Sequence, residues 1–81
     1  MTIDLTPASL DLFLELVEDA GSWSGTPPVW ITAAQRGNLT QLKRAGLLDT
    51  QDDGRDVFAY FTEAGKALAA AHGHDLSWID F

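Results

Sequence analysis

Residues 47–62, LLDTQDDGRDVFAYFT, restrict the fold more than any other part of the chain. Two short β-prone runs meet at Asp53-Gly54, a dipeptide that suits a two-residue type I′ turn because both central positions need positive φ. In that register Asp52 pairs with Arg55, Thr50 faces Val57 and Leu48 faces Ala59. Leu48, Thr50, Val57, Ala59 and Phe61 then share one face, with Asp49, Gln51, Asp56, Phe58 and Tyr60 on the other. The first set is the expected core face of an antiparallel hairpin.

A helix is expected before it, over residues 32–45. Thr32 can cap this helix and Gln35, three residues on, can complete a capping box; Gly46 ends it as a left-handed residue. Leu39, Leu42 and Ala45 fall on one arc, with Gln35 and Asn38 at its margin. Arg36, Thr40, Gln41, Lys43 and Arg44 fall on the opposite side. A second parse makes Gly37-Asn38 a turn, with Asn38 capping a shorter helix. Both parses leave the cations outward.

Charge is segregated around this helix. Residues 20–48 contain no acid and hold Arg36, Lys43 and Arg44, whereas the rest of the chain carries all twelve carboxylates against Arg55 and Lys66. A cationic island thus sits in a chain of net charge −7.

With these residues in view, the chain resembles the winged-helix family, and in particular the C-terminal half of MarR- and PadR-like regulators. The resemblance rests on LTQLKRAGLL at residues 39–48, on the hairpin, and on FTEAGKALAA at residues 61–70. It covers roughly half of the chain and has the look of small actinobacterial and phage proteins. It implies a small α+β winged-helix domain, with three helices and a two-stranded antiparallel wing. It also implies a DNA-binding regulator whose helix 32–45 enters the major groove. Arg36, Lys43 and Arg44 would contact phosphates or guanine edges, Thr40 and Gln41 would approach bases, and Arg55 would sit at the wing tip. The family places a full helix between the first helix and the recognition helix. Here Gly25, Pro27 and Pro28 in residues 22–31 make that helix improbable, so the motif is abbreviated.

The remaining segments complete one domain of 81 residues. Thr6 caps a first helix over residues 6–20 with Pro7 at its first position, and Leu5 can staple against Leu10. Its core stripe is Leu10, Phe13, Leu14, Val17 and Ala20. Leu12 and Leu16 widen that stripe, either because other elements wrap the helix on two sides or because they form a homodimer or partner surface. Residues 21–31 form a loop leading to a short extended piece at residues 29–31, a candidate third strand, with Trp23 and Trp30 anchoring it at the core edge. Thr62 caps a last helix reaching about residue 72, with Ala64, Ala67, Leu68 and Ala71 inward and Gly73 closing it. The tail, residues 73–81, carries Trp78, Ile79 and Phe81 and is expected to fold back; the alternative is a partner-binding tail.

A chain this short buries only about 60% of its unfolded surface. It has no cysteine to staple it or to act as nucleophile, and no phosphate-binding glycine loop. His72, His74 and Asp75 match no recognised metal pattern. The expectation is a non-enzyme without cofactor or metal. Lacking a signal peptide or an apolar run near about 18 residues, it is expected in the cytoplasm and off the membrane. Two functions remain. One is binding of double-stranded DNA, by a monomer or a homodimer. The other is an acidic protein-interaction module, or DNA mimic, that engages a basic partner and binds no DNA. The acid surplus and the four aspartates around Arg55 favour the second, and the cationic helix face the first.

Overall fold

The computed structural model describes residues 5–23, 25–29 and 33–79. Three helices and a hairpin follow one another as α1 (Pro7–Ala20), α2 (Arg36–Arg44), β1 (Leu48–Asp52), β2 (Val57–Phe61) and α3 (Glu63–Ala71), with a 3₁₀ turn at Ala33–Gln35 leading into α2. This is the expected small α+β domain, with a winged-helix-like topology.

Local chemistry sets the helix ends. The Thr6 hydroxyl accepts the Ser9 N–H at 3.2 Å and Pro7 occupies the first turn, where its missing N–H costs nothing. Gly46 leaves α2 at φ +75°, and the Leu47 N–H returns to the Leu42 carbonyl at 3.1 Å, a left-handed exit that a β-carbon would strain. Both α2 parses need amending. Gly37 and Asn38 lie within the helix, so there is no turn there; the residue before α2 is Gln35, whose side chain makes no capping bond. Thr32 and its capping box lie outside the described residues.

The hairpin keeps its expected faces but not its register. Leu48 pairs with Phe61, Thr50 with Ala59 and Asp52 with Val57, a shift of two residues from the two-residue-turn alignment. An even shift leaves each side chain on its face, so Leu48, Ala59 and Phe61 are still buried. Aspartate chemistry lengthens the tip. Asp52 Oδ1 accepts the Gly54 N–H at 2.7 Å, while Asp53 Oδ1 accepts those of Arg55 (3.0 Å) and Asp56 (2.9 Å). These donors, that of Asp56 foremost, hold the Asp53 carboxyl below its ordinary pKa. On the outer edge of β1, Asp49 Oδ1 takes the Thr50 N–H at 2.9 Å, covering a donor that would otherwise invite another strand. On the other side of β2, Val29 donates to Val57 and Ala59 to Pro27, centred on a bridge between Pro28 and Phe58. Of the candidate third strand at residues 29–31 only Val29 is among the described residues, and the pairing there is a bridge centred on Pro28.

The core joins α1, Leu42 of α2, the inner hairpin face and the tail. Phe13 meets Phe61 edge to face at 5.7 Å. Two side-chain assignments are corrected. Leu12 and Leu16 are each 4% exposed and fully part of this core, whereas Leu10 and Leu14 are half-buried. In α3 the buried residues are Gly65 and Ala69, with Leu68 half-buried, while Ala64, Ala67 and Ala71 are exposed. Backbone proximity explains the rotation. A β-carbon on Gly65 would lie 1.9 Å from the Leu47 carbonyl oxygen, so α3 presents this glycine to the backbone between α2 and β1. Past Gly73 the tail folds back as expected. Leu76 and Ile79 are buried and the Lys66 ammonium donates to the Ile79 carbonyl at 3.2 Å.

Candidate nucleic-acid interface

The α2 sequence RGNLTQLKR has only two apolar residues, and they orient it. Leu42 is fully buried and Leu39 half-buried. At about 100° per residue, the opposite arc carries Lys43, Arg36, Thr40, Arg44 and Gly37 in angular order, and all five are exposed. No described carboxylate pairs with Arg36, Lys43 or Arg44.

The two ends of α2 place their charges differently. Lys43 and Arg44 sit in the last turn, where the helix dipole favours cations, so stability alone accounts for them. Arg36 opens the helix, where the same dipole disfavours a cation, and has no such account. Thr40 donates its hydroxyl to the Arg36 carbonyl at 3.0 Å. Its oxygen remains on the outer arc.

A polar seam holds the inner margin of α2 against the start of α1. The buried Ser9 hydroxyl donates to Asn38 Oδ1 at 3.3 Å, and the Thr6 N–H donates to Gln41 Oε1 at 3.0 Å. Gln41 is thereby removed from the base-reading set: it is half-buried, and its amide oxygen serves the backbone of a residue 35 positions away. Sequence pattern missed the seam because Asn38 and Gln41 count as polar. Their three-residue spacing, matching that of Thr6 and Ser9, is the only local sign of it. Gln41→Ala is expected to cost about 1 kcal/mol of stability, the usual worth of one such bond, read as a lower melting temperature. A base-reading residue on the outer face would leave melting unchanged.

Arg55 is exposed at the hairpin tip, among the exposed Asp52, Asp53 and Asp56. Wing and α2 therefore differ in sign. Of the described apolar residues considered for a partner surface, Leu12, Leu16 and Ile79 are consumed by the chain's own core, and Trp78 is 50% exposed. Phe81 and Trp30 lie outside the described residues. Trp23, 42% exposed, leans on Phe58 with ring centroids 6.5 Å apart.

His72 is exposed and His74 half-buried, while Asp75 Oδ1 accepts the Ser77 N–H at 2.9 Å. No group of three potential ligands is placed to hold a metal among the described residues. No described helix is long and apolar enough to cross a membrane. The chain matches no family model, no curated protein and no solved structure.

Proposed function

We propose that this chain is a small winged-helix DNA-binding regulator that docks the outer face of α2 on a duplex. The observation that carries the reading is the set Arg36, Lys43 and Arg44, exposed on one arc with Thr40 and without a described carboxylate partner. Phosphate contacts from such a set supply affinity, and Thr40 with the guanidinium groups supplies what base selectivity the face has. Between α1 and α2 the described residues contain no further α-helix, so α1 itself, through Ser9 and Thr6, takes the part of seating α2. Arg55 is a weaker contact because its neighbours repel phosphate.

The test is retardation of a mixed-sequence duplex at low ionic strength. Lys43→Ala combined with Arg44→Ala should abolish the shift while costing about 1 kcal/mol of stability, the loss of two cations from a helix C-terminus, in a variant that still melts as a folded domain. In wild type, the logarithm of the affinity should fall with the logarithm of salt by about 0.9 per phosphate contact, so a face of three cations predicts a slope near −3. Absence of any retardation at low salt would favour the second reading, an acidic interaction module or DNA mimic. The exposed carboxylates of Asp49, Asp52, Asp53 and Asp56 support that reading.

A further inference from the structure

The outer face of the hairpin, away from α2, carries an open groove of about 330 Å³ lined by Thr26, Gln51, Asp52, Asp53, Phe58 and Tyr60. Its floor is aromatic. Phe58 and Tyr60 are half-buried neighbours on one face of β2, and Trp23 flanks Phe58. Its rim is anionic: Asp53 lines it at the tip, Asp49 stands opposite Tyr60 in the ladder on the same face, and Arg55 is the only cation of the tip.

We infer that this groove takes an arginine side chain from a basic protein segment, stacked on Tyr60 and Phe58 and paired with Asp53 at the tip and Asp49 beside Tyr60. Charge complementarity selects the occupant. A nucleic acid would bring phosphates against the carboxylates. A purely apolar segment would strip water from Asp53 and Asp49 without replacing it. A guanidinium meets both halves of the site, because its flat face stacks on an aromatic ring while its edge forks to a carboxylate. Lysine meets only the charge. Asp53 has one oxygen tied to the Arg55 and Asp56 N–H groups and Asp49 one tied to the Thr50 N–H, so the rim is fixed before anything binds. The surplus of acid over the whole chain would speed the approach of a basic partner. The inference does not depend on DNA binding, which uses the other side of the domain.

The experiment uses the full chain and a fluorescein-labelled Gly-Arg-Gly-Arg-Gly peptide. Binding is followed by anisotropy at low ionic strength and mapped by backbone amide NMR shifts. Expected are saturable binding, shifts concentrated at residues 26, 49, 51–53 and 58–60, and weaker binding of the lysine counterpart. Tyr60→Leu should weaken binding about fivefold and Tyr60→Phe should preserve it, consistent with a cation–π contact. Asp53→Asn retains an acceptor for the Arg55 and Asp56 N–H groups and should also weaken binding, in a variant whose melting shows it folded. Lys43→Ala with Arg44→Ala should bind the peptide as wild type does, which separates this result from that of the DNA assay. Shifts spread equally over Asp11, Glu15 and Glu18, equal affinity for both peptides, or an unaltered Tyr60→Leu would each overturn the inference.

Discussion

Gly65→Ala is expected to destabilise the domain by about 3 kcal/mol or more, although alanine is the better helix former by about 1 kcal/mol. The new β-carbon would lie 1.9 Å from the Leu47 carbonyl oxygen and 3.0 Å from its carbonyl carbon, and neither atom can swing aside as a side-chain end could. That same oxygen accepts the Thr62 N–H at 3.1 Å, and the Thr62 hydroxyl both caps α3 through the Gly65 N–H and donates to the Gly46 carbonyl. Relieving the overlap moves α3 off the α2–β1 junction and breaks that set of bonds together. At about 4–8 °C per kcal/mol for a domain of this size, the melting temperature should fall by well over about 10 °C. Gly37→Ala is the matched control. Gly37 also lies inside a helix, but nothing stands within 4 Å of its β-carbon position, so the exchange should be neutral or stabilising by up to about 1 kcal/mol. Equal melting of wild type and Gly65→Ala would show that α3 does not sit so close to β1.

Gly65 also marks where reading by side-chain pattern stops. Helix ends were legible in the sequence because caps are local: Thr6 with Pro7, Thr62 and Gly46 each act on atoms a few residues away. The hairpin faces were legible because alternation survives an even register shift. The register was not, because the Asp53-Gly54 signal for a tight turn competes with aspartate side chains that accept backbone N–H groups and lengthen the tip. In α3 the pattern sought apolar side chains and chose alanines, whereas packing chose the residue with no side chain. For the interface, Leu42 and Leu39 sufficed to turn Arg36, Thr40, Lys43 and Arg44 outward. Gln41 was misplaced because its partner, the Thr6 N–H, is distant in sequence and no periodicity encodes it. The aromatic groove was hidden likewise: Trp23 and Phe58 meet only because pairing of Pro27 with Ala59 and of Val29 with Val57 folds the loop against β2.

Leu16→Ala should cost about 3 kcal/mol, within the usual range for emptying a buried leucine site. Leu14→Ala, two residues earlier and half-buried, should cost about 1 kcal/mol, in proportion to the smaller apolar area it hides. That ordering reverses the one the helical stripe suggests, in which Leu14 is core and Leu16 marginal, so urea denaturation of the two variants discriminates directly. It also decides what Leu12 and Leu16 are for. In a core role, Leu16→Ala lowers the denaturation midpoint independently of protein concentration, and the mass in solution is the same as that of wild type. In a subunit-contact role, the midpoint would rise with concentration in wild type and Leu16→Ala would shift the mass toward a monomer. With Leu12 and Leu16 each 4% exposed within the chain's own core cluster, the first pattern is the expected one. Any homodimer that doubles the α2 contacts on DNA must then be built from another surface, to which the exposed Trp78 and Trp23 are the large apolar side chains available among the described residues.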